Sequence, residues 1–176
     1  MKFLLTAINA KFIHSNPAIY SLRAGVGEKL QPYVELAEFT INESLESILE
    51  GIWKRQPKVI GFSCYIWNWK LIREILTELP KILPDTEIWL GGPEVTYDGP
   101  GLLAEFPQVT GIMVGEGEVT FREMLEQYLR EAETAGRSEQ QPGSDSIKQQ
   151  AADRRVTVAG KSVEERFGQI PGLCLA

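Results

Sequence analysis

The feature that most constrains this chain is an alternation. Five short apolar runs, Lys2–Ile8, Val34–Phe39, Val59–Ser63, Glu87–Leu90 and Thr110–Val114, punctuate the first two thirds of the sequence. Their length and composition read as buried strands. The stretches between them have helical period: Ile19, Leu22, Val26 and Leu30; Leu45, Ile48, Leu49, Ile52 and Trp53; Trp69, Ile72, Leu76 and Leu79. A shorter element falls near Pro100–Phe106, and Phe121, Met124, Leu125, Tyr128 and Leu129 mark a strong last helix. Strands separated by helices return to the same end of the sheet, so they pair in parallel and the helices cover both faces. The expectation is an α/β fold with a doubly wound, five-stranded parallel sheet in the order 2-1-3-4-5.

Local signals set the boundaries. Asn16 followed by Pro17 supplies a cap and a first-turn proline for the first helix, Thr40 and Glu43 have capping-box spacing before the second, and Asn68 is placed to cap the third. Beyond Ala135 the periodicity stops. Residues 136–155, GRSEQQPGSDSIKQQAADRR, are polar and almost free of apolar side chains, so they predict a flexible linker or loop. Val156–Ala159 reads as a brief strand and Ile170–Ala176 as another strand start, so residues 156–176 are expected to lead into a following domain.

Composition narrows the class of partner. With 43% hydrophobic residues in 176, one domain can bury its own core. The formal charge of -6, with lysines and arginines dispersed, argues against nucleic acid. Cys64 and Cys174 are too few for a disulfide framework. No apolar run approaches the ~18 residues of a membrane span, and the expectation is a cytoplasmic protein.

In an open parallel sheet the ligand crevice lies outside the carboxyl ends of the strands, which directs attention to four turns: NAKFIHSN, SCYIWN, GGPE and GEGE. Gly91 with Gly92, and Gly115 with Gly117, remove Cβ atoms where a bulky ligand would press on backbone. A nucleotide-phosphate loop is disfavoured, because Glu116 and Glu118 stand there and no GK[ST] follows. Tyr65, Ile66 and Trp67 leave a strand end and suit a large flat ligand, although such aromatics also commonly pack under the next helix, as Trp69 is expected to. Cys64 reads as a small buried hydrophobe. Glu94 and Glu116 are placed to bind amides or ribose, but carboxylates in a first helical turn are also explained by the helix dipole alone.

The ordered set NAKFIHSNPAIYSLRA, FTINE, IGFSCYIWN, LGGPEVTYD and GEGE resembles the amino-terminal, cobalamin-binding region of cobalamin-dependent radical S-adenosylmethionine proteins, over about Lys2 to Ala135. The resemblance implies a flavodoxin-like domain spanning residues 1–135 whose cofactor tail enters between sheet and helices. Ser63, Gly91 and Gly92 stand where that family's tail-binding residues stand. The candidate cofactor-binding set is Asn9, Ser63, Cys64, Tyr65, Trp67, Gly91, Gly92, Pro93, Glu94, Gly115, Glu116 and Gly117. Replacing Gly92 by Val is expected to block cobalamin and spare the fold, provided that Gly92 has no positive φ.

One departure matters. The better-known cobalamin domains carry DxHxxG after the first strand, supplying an axial histidine backed by an aspartate. Here His14 is the candidate metal ligand, but Phe12 occupies the aspartate's place and Pro17 the glycine's. A metal-binding imidazole needs a partner that fixes its tautomer. For members lacking the motif the resemblance implies cobalamin held base-off, without a protein imidazole. The radical family's CxxxCxxC is absent from this chain, so a [4Fe-4S] cluster and S-adenosylmethionine are expected only in a following C-terminal radical S-adenosylmethionine domain, with methyl transfer as one outcome. The alternatives are a receiver domain, disfavoured because Asn9 and Ser63 replace its acidic residues, a flavin-binding flavodoxin, and an interaction or regulatory module without cofactor.

Overall fold

The computed structural model describes residues 2–11, 15–138 and 161–176. His14 and the expected strand Val156–Ala159 lie outside the described residues. The chain runs β1 (Phe3–Asn9), α1 (Pro17–Gly25), a 3-10 turn (Gln31–Tyr33), β2 (Val34–Thr40), α2 (Leu45–Trp53), β3 (Val59–Ser63) and α3 (Trp69–Ile82). There follow β4 (Glu87–Gly91), α4 (Gly99–Glu105), β5 (Val109–Met113), α5 (Gly117–Ser138), α6 (Val163–Phe167) and β6 (Leu173–Leu175).

The sheet order is β2-β1-β3-β4-β5-β6. The first five strands pair in parallel as the alternation demands, whereas β6 runs antiparallel on β5, with Met113 opposite Leu173 and Gly111 opposite Leu175. The five-stranded sheet expected therefore gains a sixth strand, from the Ile170–Ala176 stretch read as a strand start. It follows α6, which sequence periodicity missed because five residues hold too little of a helical repeat. Its capping box was readable: Ser162 accepts from the Glu165 backbone N–H, and the Glu165 carboxylate accepts from that of Ser162. The expected linker at 136–155 begins within α5, whose helix runs to Ser138; residues 139–155 lie outside the described residues.

Capping is part confirmation, part correction. Asn16 caps α1 through its side chain, which accepts from the Ala18 N–H, with Pro17 opening the helix. For α2 the cap is Ser44, accepting from Ser47, although the Glu43 carboxylate does accept from the Thr40 backbone N–H. Asn68 precedes α3 without capping it by side chain. Instead, fully buried, it donates to the carbonyls of Ile8 and Ser63 and accepts from the Tyr65 N–H, tying the ends of β1 and β3 to the turn that follows.

Two apolar layers flank the sheet. One packs Leu4, Ile8, Ile60, Phe62, Ile88, Leu90 and Ile112 against α2, α3 and α4. The other packs Phe3, Leu5, Ala7, Val59, Trp89 and Met113 against α1, α5 and α6.

Candidate cofactor-binding site

On the α1/α5 face the side chains shrink toward the carboxyl ends of the strands. The register sets Phe3 beside Val59, then Leu5 beside Gly61 and Trp89, and finally Ala7, Ser63, Gly91 and Met113 in one row. The missing bulk opens a cavity of about 440 Å³ between this floor and the helices, within the ~300–1,000 Å³ range of small-molecule sites. Ala18, Ile19 and Leu22 of α1 line one side, and Gly115, Glu116, Gly117 and Glu118 at the start of α5 the other. Tyr65, Gly92, Pro93, Thr96 and Tyr97 border it from the loops after β3 and β4.

Of the residues singled out from sequence, Ser63, Tyr65, Gly91, Gly92, Pro93, Gly115, Glu116 and Gly117 come together here. Asn9, Cys64, Trp67 and Glu94 do not line the cavity. Asn9 donates to the Glu38 carboxylate at the end of β1. Cys64 is fully buried in the opposite layer, where burial pushes its thiol far above its ordinary value and keeps it an inert thiol. Trp67 is half exposed and stacks on Tyr65, ring centroids 4.4 Å apart and planes 10° from parallel. Glu94 engages the β3 turn through its backbone N–H, which donates to the Cys64 carbonyl. Trp69, the first residue of α3, packs partly buried against the apolar layer, its ring edge-on to Phe106 just past α4.

The two central glycines differ in kind. Gly92 has φ +106°, and a Cβ there would sit 2.5 Å from the Cys64 carbonyl oxygen, so any side chain is strained and the condition for a fold-sparing Gly92→Val is not met. Gly91 has ordinary strand geometry and a Cβ there would meet nothing closer than 3.5 Å, from Met113. Only at Gly91 does the absent side chain serve the cavity alone.

Glu38, at the edge of the sheet, organises the entry to α1. Its carboxylate accepts from the Asn16 backbone N–H at 3.0 Å, from Asn9 Nδ2 at 3.2 Å and from the Tyr20 hydroxyl at 3.0 Å. Desolvation alone would raise its pKa; the bonds from Asn16, Asn9 and Tyr20 outweigh that and hold the carboxyl below its ordinary value. Asn16 in turn donates through Nδ2 to Ser63 Oγ at 3.1 Å. At the opposite wall the Ser21 hydroxyl donates to Glu118 and, with the helix's own N–H, lowers that carboxyl. Sequence reasoning missed Leu5, Gly61, Met113 and Asn16 as parts of this site; Gly61 was reachable by the period-2 rule from Ser63, the others only through tertiary pairing.

The sequence that builds this cavity, at the carboxyl edge of a parallel sheet, is matched by a family profile. The B12 binding domain profile fits residues 4–125. The chain belongs to the B12-binding domain family. It is 38% identical over 71 residues to the cobalamin-dependent radical SAM methyltransferase TokK of Streptomyces tokunonensis, covering 40% of this chain and 10% of that protein. It is 36% identical over 88 residues to the 2-(S-pantetheinyl)-carbapenam-3-carboxylate methyltransferase of Streptantibioticus cattleyicolor, covering 49% and 12%. The chain thus spans about a tenth of the length of these relatives. Among solved structures, the radical S-adenosylmethionine methyltransferase TsrM from Kitasatospora setae superposes with TM-score 0.58 at 18% identity, over 73% of this chain and 26% of that one, a likeness of fold. Cobalamin is the cofactor of the B12-binding family, and the cavity suits its nucleotide tail: an elongated group needs a slot between sheet and helices, and Gly61 and Gly91 leave one. Among the described residues no helix is long and apolar enough to cross a membrane.

Proposed function

We propose that this B12-binding domain holds cobalamin base-off, with the nucleotide tail in the cavity over Gly61, Ser63 and Gly91, as the cofactor module of a larger cytoplasmic radical S-adenosylmethionine enzyme. The observation that carries the reading is the tapering of side chains on one sheet face alone, which makes room for a buried tail at the ligand edge of the fold. The binding unit extends past the expected residues 1–135, since α5 runs to Ser138 and α6 and β6 complete the sheet and its second apolar layer; residues 156–176 would lead from there into a following domain. The absence of a DxHxxG sequence supports a cobalt without a protein imidazole, Phe12 standing where that motif has the aspartate that orients its histidine. The stacked Tyr65 and Trp67, with Ile66 80% exposed between them, form an apolar rim suited to the corrin. Bound cobalamin supplies an organometallic cobalt centre able to carry an alkyl group. The likeness to two methyltransferases favours methyl transfer, with a [4Fe-4S] cluster and S-adenosylmethionine held by the following domain.

The test is direct. Protein mixed with hydroxocobalamin and desalted is expected to keep the corrin absorption bands. After reduction to the cob(II) state, its paramagnetic resonance spectrum is expected to lack nitrogen superhyperfine splitting. Loss of the bands on desalting, or retention of flavin instead, overturns the cobalamin reading; persistent nitrogen splitting overturns the base-off part.

A further inference from the structure

Among the side chains on the sheet floor of the cavity, Leu5, Ser63 and Met113, only Ser63 is polar. A hydroxyl can face a ligand as donor or as acceptor, and which role it takes is set by its other partner. That partner is Asn16, itself buried, whose amide cannot turn over. The Ala18 N–H in the first turn of α1 needs an acceptor and finds Asn16 Oδ1 at 2.9 Å, which leaves Nδ2 toward Ser63. The Asn16 backbone is pinned as well, its N–H donating to Glu38. An amide nitrogen only donates, so Ser63 Oγ accepts from Asn16 and its own proton has to go elsewhere. Among the described residues none accepts it.

We propose that Asn16 fixes the hydrogen-bond polarity of the cavity, making Ser63 a donor, so that the site selects cobamides whose lower base carries an unprotonated ring nitrogen. This rests on the tail lying in the cavity. Released from cobalt, a benzimidazole has such a nitrogen, whereas a phenolic lower ligand offers carbon in its place and would leave the Ser63 proton unpaired among apolar groups. Asn16 is a positioning residue here, acting through Ser63.

Asn16→Asp tests this with almost no change of shape. A carboxylate only accepts: it keeps the Ala18 N–H and remains a good helix cap, but takes the Ser63 proton and turns the serine's lone pairs toward the cavity. Affinities are measured at pH 8, far above the ordinary carboxylate range, for cobalamin, for the cobamide with p-cresol as lower ligand, and for cobinamide, which has no lower base. The unsubstituted protein is expected to favour cobalamin over the p-cresol form by roughly tenfold, the scale of one hydrogen bond. In Asn16→Asp, and in Ser63→Ala as a second variant, that preference is expected to fall to about twofold or less, with cobinamide affinity the same in all three. If Asn16→Asp kept the full preference, or if the unsubstituted protein favoured cobalamin over cobinamide yet ignored the p-cresol exchange, the proposal would be wrong while the tail reading stood. Equal affinity for cobalamin and cobinamide would remove the tail reading itself, and the proposal with it.

Discussion

The two faces of the sheet are built from the same strands and do opposite things. Along β3 the residues facing α3 are Ile60 and Phe62, while those facing α1 and α5 are Val59, Gly61 and Ser63. Along β4 the contrast repeats: Ile88 and Leu90 on one side, Trp89 and then Gly91 on the other. The filled face is a continuous apolar layer, and the second face is filled only at its amino-terminal half. Because consecutive strand residues alternate faces, a five-residue strand can serve core and cofactor at once. The hollow is therefore local, and the same face is tightly closed farther down, where Phe3, Trp89, Phe121, Tyr128 and Phe167 interlock.

The largest expected effect tests that closure. Arg166, with a fully buried side chain, pairs with Glu87 at 3.0 Å and Glu131 at 2.8 Å and lies over the Phe167 ring. Arg166→Ala would strand two carboxylates and is expected to lower unfolding free energy by about 3–5 kcal/mol, read from urea melts. A loss below about 1 kcal/mol would mean that the hollow face is loose throughout.

Next comes the filled face. Ile72 is fully buried in the layer under α3, and Ile72→Ala is expected to cost roughly 2–5 kcal/mol while leaving cobalamin affinity of the folded protein unchanged. A matching loss of affinity would show that the two faces are not independent.

Gly91→Val reverses the pattern. Its Cβ meets only ordinary contacts, so stability is expected to move by less than about 1 kcal/mol, whereas cobalamin retention after desalting is expected to fall by roughly tenfold or more. Retention equal to that of the unsubstituted protein would place the tail elsewhere.

The smallest effect concerns acid. The Glu38 carboxyl is depressed in the folded state, so its contribution is present above the unfolded carboxylate range and is lost as pH falls through the folded value. The melting temperature of Glu38→Gln is accordingly expected to lie below that of the unsubstituted protein at pH 7 and to converge with it below about pH 4. A gap that widened on acidification would contradict the assignment.

How much of this was legible in the sequence depends on the range of the interaction. The five parallel strands and the Asn16–Pro17 start of α1 follow from local pattern, and all were readable. The β4 and β5 glycines were readable too, since the ligand edge of a parallel sheet is known in advance. What escaped was long-range. That Leu5 and Met113 share a floor with Gly61 depends on strand register, and the Asn16–Ser63 bond joins residues 47 apart. Cys64, Tyr65 and Trp67 read as one binding set, but only Tyr65 lines the cavity: Cys64 enters the opposite core, and Trp67, stacked on Tyr65, stays half exposed at the rim. β6 was readable as the strand start at Ile170–Ala176, but its antiparallel place beside β5 was not, since strand direction and order are set by long-range pairing.

That last strand also bears on how the molecule avoids its own kind. A sheet with open margins offers unpaired backbone groups to any passing strand, the usual route to ordered aggregation. At one margin β6 lies antiparallel along β5 and takes up its outer backbone groups, so no parallel core strand is the edge there. The other margin, β2, is seven residues long and is protected by charge instead: Glu35 sits 3.5 Å from Lys2 and 3.2 Å from Arg55, with the exposed Glu38 farther along. An invading strand would have to strip water from these ionic side chains before making its first hydrogen bond.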